Sequence, residues 1–181
     1  MDQEHFNVVV VGAGISGIGA GYHLQKKCAD KSFVILERRQ NIGGTWDLFR
    51  FPGIRSDSDM HTMGFSFKPW TSAKTIADGP SILNYLDEAV EENNLAPKIR
   101  FGHQVKTASW SSSESVWRLE VKNQDDGTLR NFSCNFLQLC GGYYNYDEGY
   151  SPDFKGREDF SGQIIHPQKW TDEVDYKNKK V

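Results

Sequence analysis

Cysteine is scarce. Cys28, Cys134 and Cys140 are the three in the chain, odd in number and far apart, and they point to neither a disulfide framework nor a metal site. Long hydrophobic runs are missing as well. The longest, Val8 to Val11 with its flanks, falls far short of the roughly 20 residues that cross a bilayer. Charge of one sign is not concentrated anywhere. The 21 basic and 24 acidic residues leave a net charge of -3 and no basic stripe, so nucleic acid is not an expected partner. The opening "MDQEHF" is polar and acidic where a secretion signal would be basic and then apolar. The expected compartment is therefore the cytoplasm, and the sequon at Asn131 carries no weight. There is no internal repeat and no low-complexity tract. What remains is 181 residues, enough for one sizeable core. Five tryptophans stand among them, which fits packing against a large flat ligand or a second domain, and fits a large aromatic core equally well.

The order of elements is legible. Phe6 to Val11 is a continuous apolar, β-branched run, as in a strand buried on both faces. A glycine-rich turn follows, then helical composition from Ile15 to about Lys27 and a second short buried strand, Phe33 to Glu37, which completes a βαβ unit. A second helix is expected over "GPSILNYLDEAVEENNL". Pro80 suits its first turn, and Ile82, Leu83, Leu86 and Val90 share one face. From Ile99 short strands take over: "IRFG", "QVKTASW", "VWRLEVKN", "TLRNFSC" and "NFLQLCGG", with "NQDDGT" as a hairpin turn. They read as a β-meander that returns to a core strand at Phe136 to Cys140, followed by a loop, "YYNYDEGYSPDFKG". The closing "DYKNKKV" resembles the approach to a further strand, cut at Val181, so a fragment of a longer protein is expected. The fold class expected is α/β, a Rossmann-like domain with a parallel sheet and a β-meander.

Gly12, Gly14 and Gly17 form G-x-G-x-x-G between strand and helix. The first permits a tight turn, the second close approach of a pyrophosphate, the third close packing of helix on strand. Exposed amides and the helix dipole then hold phosphate. Glu37, 20 residues after Gly17, stands where an acid accepts hydrogen bonds from an adenosine ribose. It would repel a 2′-phosphate and favour FAD or NAD over NADP at this site, although Arg38 and Arg39 blur that preference. Arg38 is also able to lie over an adenine face.

The stretch "GGTWDLFRFPGIRSD", Gly43 to Asp57, has neither helical nor strand periodicity. With a dinucleotide at the first turn it falls where a loop reaches the pyrophosphate and the far ring. Gly43 and Gly44 allow backbone contact, Trp46 offers a flat face, Pro52 and Gly53 fix a turn, and Asp57 supplies a carboxylate. The segment resembles the Gly-Gly-x-Trp-x-x-x-x-Phe-Pro-Gly-x-x-x-Asp fingerprint of class B flavoprotein monooxygenases, the family of Baeyer–Villiger and flavin-containing monooxygenases. Every specified position matches. "FSGQIIHPQKW" resembles the family's second motif through Phe160, Gly162, His166 and Trp170.

The resemblance implies FAD and NADPH as cofactors, and O2 and a small molecule as substrates. In that chemistry a C4a-(hydro)peroxyflavin delivers one oxygen atom to a ketone or onto nitrogen or sulfur. It implies that Gly12, Gly14, Ser16 and Gly17 hold the FAD pyrophosphate, that Glu37 takes the ribose with Arg38 nearby, and that Gly44, Thr45 and Trp46 line the middle and flavin side. Asp57 resembles the catalytic carboxylate near the flavin N5 edge, which orients an arginine lying beyond Val181. Met63 stands where the family commonly has a flavin-contacting tyrosine, and Val105 resembles the residue whose backbone reads adenine. His166, with Phe160, Gly162 and Trp170, falls in a linker motif that couples domain motion to turnover. Residues 1–159 are then the first part of an FAD-binding domain, and 160–181 a linker towards an NADPH-binding domain.

Two departures stand out. Cys140, Gly141 and Gly142 replace the usual Ala-Thr-Gly-like turn, with Cys140 read as a small buried filler. Thr171 intervenes before Asp172, which weakens the choice of ketone over nitrogen or sulfur. Trp70, Trp110 and Trp117 read as core or interface residues, His23 as solvent-facing or capping, and His61 as a weaker candidate beside Asp57. Two other functions compete. A disulfide-reducing flavoprotein would carry a cysteine pair after the second strand, and none occurs between Cys28 and Cys134. The other is a non-catalytic protein that retains a nucleotide-binding fold as a binding module or relic, and bound flavin would exclude a relic without ligand.

Overall fold

The run of valines forms the centre of the molecule. In chain order the elements are β1 (Gln3–Val11), α1 (Ile15–Lys27), β2 (Phe33–Leu36), α2 (Thr45–Leu48), α3 (Met60–Met63), α4 (Gly79–Glu92), β3 (Ile99–Arg100), β4 (His103–Ser111), β5 (Val116–Asn123) and β6 (Leu129–Leu139). The structure is a computed structural model that describes residues 3–180. The strand expected to open at Val181 lies outside the described residues. The six strands form one sheet in the order β3-β2-β1-β6-β5-β4. Pairing is parallel from β3 through β2 and β1 to β6, and antiparallel from β6 through β5 to β4.

Alternate residues of the central strands go to opposite faces, as the period of two requires. Val8, Val10, Phe33 and Ile35 pack with Ile18 of α1 and with Ile82, Tyr85, Leu86 and Ala89 of α4. Val9, Val34 and Leu36 on the other face pack with Leu119, Val121, Phe132 and Cys134 of the meander. Both faces of β1 are therefore covered, which is why its sequence is apolar without alternation. α4 begins where expected. The Asp78 side chain caps it by accepting from Ser81 N at 2.9 Å, and Pro80 sits in its first turn.

Two expectations need correction. The stretches "TLRNFSC" and "NFLQLCGG" are not separate strands but one, β6, paired with β1 from Asn131 to Leu139. Asn135 looked like a break because it is polar. Its side chain is exposed and bonds His5 and Asn7 (3.3 and 3.4 Å), so the backbone ladder continues beneath it. The segment from Gly43 to Asp57 is not wholly irregular either, because Thr45–Leu48 makes one helical turn, with Leu48 N donating to Gly44 O at 2.9 Å. A single turn is too short to show periodicity.

Phe132 of β6 is fully buried in the core cluster with Val9, Leu36 and Leu119, near Phe6 and His103. Phe132→Ala is expected to lower unfolding stability by about 3–5 kcal/mol. In denaturant titration the midpoint should fall with an unchanged slope. A loss below about 1 kcal/mol would contradict this packing.

Candidate dinucleotide and flavin site

The turn between β1 and α1 is built so that backbone meets backbone. Gly12 has φ +104°, and a Cβ there would stand 2.6 Å from the carbonyl oxygen of Cys140 at the end of β6. At Gly17 a Cβ would collide with the carbonyl of Gly12 itself. Both glycines are therefore required by space, in keeping with the roles read from their spacing. The N-terminus of α1 has no side-chain cap and no acid in its first turn. By contrast α3 and α4 are capped by Asp59 and Asp78. The uncapped end of α1 opens on a cavity of about 300 Å³ whose wall includes Gly12, Gly14, Ser16, Glu37, Arg38, Gly44, Thr45, Trp46 and Val105. Free amides at a helix end facing a cavity are donors for an anion. The sites named for the pyrophosphate, ribose and adenine are thus brought together, with Gly17 just behind the wall.

Glu37 has a second task that its position in the sequence did not reveal. It is buried, and its Oε2 accepts from Ala13 N and its Oε1 from Arg39 N, both at 2.8 Å. It thereby fixes the glycine turn to the end of β2, and the residue lines the cavity. The two arginines beside it are already engaged. Arg39 pairs with buried Asp47 at 2.5 Å, and Asp47 also accepts from Arg50 at 2.7 Å. Arg38 makes a two-pronged ion pair with Asp147, in the loop after β6, in which Nη1 donates to Oδ2 at 3.2 Å. That loop closes over the cavity. Tyr146 lies on its wall, and burial pushes its phenol up. Sequence reading missed Asp47, Tyr146 and Asp147. Asp47 occupies an unspecified position of the fingerprint, and the other two act on residues about a hundred positions away.

A second cavity, about 1340 Å³, continues from the first and shares Ile15, Thr45, Trp46, Tyr144 and Asn145 with it. Asp57, Met63 and His166 lie on its wall with Phe49, Phe51 and Tyr150. His166 packs on Gly149, where a Cβ would overlap its ring. Phe160, Gly162 and Trp170 line neither cavity; Phe160 is exposed, and Trp170 packs on Tyr176. His61 is exposed and off both walls, and His23 is exposed at the edge of Phe67. Cys140 is half-buried on the first wall, its thiol pushed up by burial.

A Rossmann-like sheet with an open helix end over a cavity defines a dinucleotide-binding fold. Residues 10–78 match the family of NAD(P)-binding Rossmann-like domains. Over 178 residues, 98% of the chain, the sequence is 61% identical to the FAD-containing monooxygenase EthA of Mycolicibacterium smegmatis. It is 51% identical over 179 residues to the probable FAD-binding monooxygenase AlmA of an Acinetobacter species. The chain spans 36% of the length of each. Cyclohexanone monooxygenase from Rhodococcus, in a structure bound to NADP+, superposes with a TM-score of 0.76 at 28% identity, covering 96% of this chain and 32% of that one. A steroid monooxygenase bound to NADP gives 0.75 at 28% identity, covering 93% and 32%. Over the segment it spans, the chain is similar to FAD-containing monooxygenases.

Asp47 carries the charge balance of the fingerprint loop. Asp47→Ala removes the carboxylate from Arg39, whose buried Nη1 already has no partner among the described residues and whose Nη2 keeps only the backbone carbonyl of residue 47 at 3.3 Å. The expected loss is about 2–3 kcal/mol, less than for a fully buried pair because both arginines reach solvent. A thermal or denaturant melt reads it, and a loss under about 0.5 kcal/mol would contradict the role.

Proposed function

We propose that this chain is the FAD-binding portion of an NADPH- and O2-dependent monooxygenase acting on a small molecule. The observation that carries the reading is the pair of joined cavities. One end offers the uncapped α1 terminus and Glu37; the other offers Trp46, Asp57 and aromatic walls. A dinucleotide with a sugar-phosphate end and a flat far ring suits that shape and that division of chemistry. FAD would supply the redox and oxygen chemistry when bound.

The residues then divide the work. Amides of Gly14, Ser16 and Gly17 at the start of α1 hold the pyrophosphate, and Gly12 and Gly44 let it come close. Glu37 accepts from the ribose hydroxyls with its remaining lone pairs, Arg38 borders that end, and Val105 offers backbone to the adenine. Thr45 and Trp46 guide the ligand from one cavity to the next. Trp46, Phe49, Phe51 and Tyr144 exclude water around the far ring, which strengthens the effect of the Asp57 carboxylate on groups placed there. Asp57 is the catalytic carboxylate of this reading, and Met63 lies beside it as an apolar contact. We assign residues 1–159 to the FAD domain and 160–181 to a linker whose Phe160, Gly162, His166 and Trp170 couple its motion to an NADPH-binding part. The oxidised atom, carbonyl carbon, nitrogen or sulfur, is not assigned. The free thiols of Cys28, Cys134 and Cys140 support a reducing compartment such as the cytoplasm.

Titration with FAD is expected to give a yellow one-to-one complex in which tryptophan emission falls, and Trp46→Phe should lose a large part of that quench while retaining FAD. A protein that stays colourless after FAD is added and desalted would defeat the reading. The 181-residue chain mixed with FAD and NADPH should oxidise little NADPH, since it spans 36% of the length of its relatives. Steady NADPH consumption, followed by absorbance, would overturn the assignment of NADPH to another part.

A further inference from the structure

An arginine directly after the ribose-binding acid is a receptor for a 2′-phosphate, because its planar fork matches phosphate oxygens. Arg38 holds that position here and borders the first cavity. Its fork is not open. The Asp147 carboxylate sits across it in a two-pronged ion pair, with Nη1 to Oδ2 at 3.2 Å and Nη2 against Oδ1. Arg39, the other candidate, is turned away to Asp47.

Asp147 is held in place from several sides. Asn145 Oδ1 accepts from the backbone N–H of Asp147 at 3.0 Å and of Glu148 at 3.4 Å, forming a tight turn. Gln168 Nε2 donates to Asn145 O at 2.8 Å and ties the turn to the following segment. Tyr146, the residue before Asp147, lines the cavity wall, with the Arg39 guanidinium 5.9 Å from its ring centre. The Arg38 guanidinium and, more weakly, Lys106 hold the Asp147 carboxyl below its usual range, so it is charged at neutral pH.

We propose that Asp147 is a specificity-determining residue of this site. It fills the Arg38 fork that a 2′-phosphate would need, so the cavity takes adenosine diphosphate ligands with a free 2′-hydroxyl and rejects their 2′-phosphorylated forms. The proposal rests on the reading of this cavity as the adenosine end of a dinucleotide site. Glu37 and Asp147 act together in it. Glu37 repels the extra phosphate directly, while Asp147 removes the cation that would compensate. Without Asp147, the Arg38 fork would be available to a 2′-phosphate.

The test is calorimetric titration of the chain with ADP and with 2′-phosphoadenosine 5′-diphosphate, for the unaltered protein and for Asp147→Ala, Asp147→Asn and Arg38→Ala/Asp147→Ala. The unaltered chain should bind ADP and discriminate against the 2′-phosphorylated ligand. Both single variants should bind the 2′-phosphorylated ligand about fivefold tighter, the upper range for one partly exposed charge pair, and the gain should shrink with added salt. Their ADP affinity should stay within about twofold, and the double variant should lose the gain. If the single variants weaken both ligands alike, Asp147 merely holds the loop, and the proposal falls while the site stands. Unchanged discrimination also overturns it. If the unaltered chain binds neither ligand, the reading of the site falls and the proposal with it.

Discussion

A buried carboxylate holds the business end of this domain together. Glu37 receives the amide of Ala13 on one oxygen and that of Arg39 on the other, so the turn after β1 and the turn after β2 are tied through one side chain. Its own backbone is bonded on both sides, the N–H to Arg100 O and the carbonyl to His103 N. Three consecutive strand ends thus meet at one residue. With them fixed, Gly12 can press against the end of β6, α1 can start hard against the sheet, and the open amides at its N-terminus point into the cavity. A buried acid without such partners would be costly, and here each oxygen is satisfied by backbone.

The same logic runs outward through the charged residues. The loop that follows β2 is rich in arginine, and Arg38, Arg39 and Arg50 are each paired with an acid. Arg39 and Arg50 converge on Asp47, and Arg38 is met by Asp147. The fingerprint loop is thus held by an acid that its own pattern leaves unspecified. Trp46, next to Asp47 in the single turn of α2, is oriented by that anchoring and stands where the two cavities join.

Much of the fold was readable in the sequence because its signals are local. The valine run, the spacing of Gly12, Gly14 and Gly17, and the Asp78–Pro80 helix start each depend on neighbours a few residues away. The residues expected to hold a dinucleotide, Gly17 apart, line joined cavities, since motif and turn geometry are nearly the same information. The misses have a common cause. β6 is one strand because β1 offers a continuous ladder 128 residues away, and a polar Asn135 on the outer face does not interrupt it. Asp147 finds Arg38 across 109 positions, and nothing near either residue announces the partner. The structural duty of Glu37 was hidden behind the functional one. The family's second motif was recognised by pattern alone. Of its four residues only His166 reaches a cavity wall, while Phe160 stays exposed.

The central claim is that the amides opening α1 receive a diphosphate. Amide chemical shifts from a 15N-labelled sample, followed while ADP is added, test it most directly. The account predicts that the largest changes fall on Ala13 through Gly17, with Glu37 and Arg38 next and the β4–β5 hairpin tip unmoved. Saturable binding whose largest changes lie away from that turn, or no change at the turn under millimolar ADP, would contradict it.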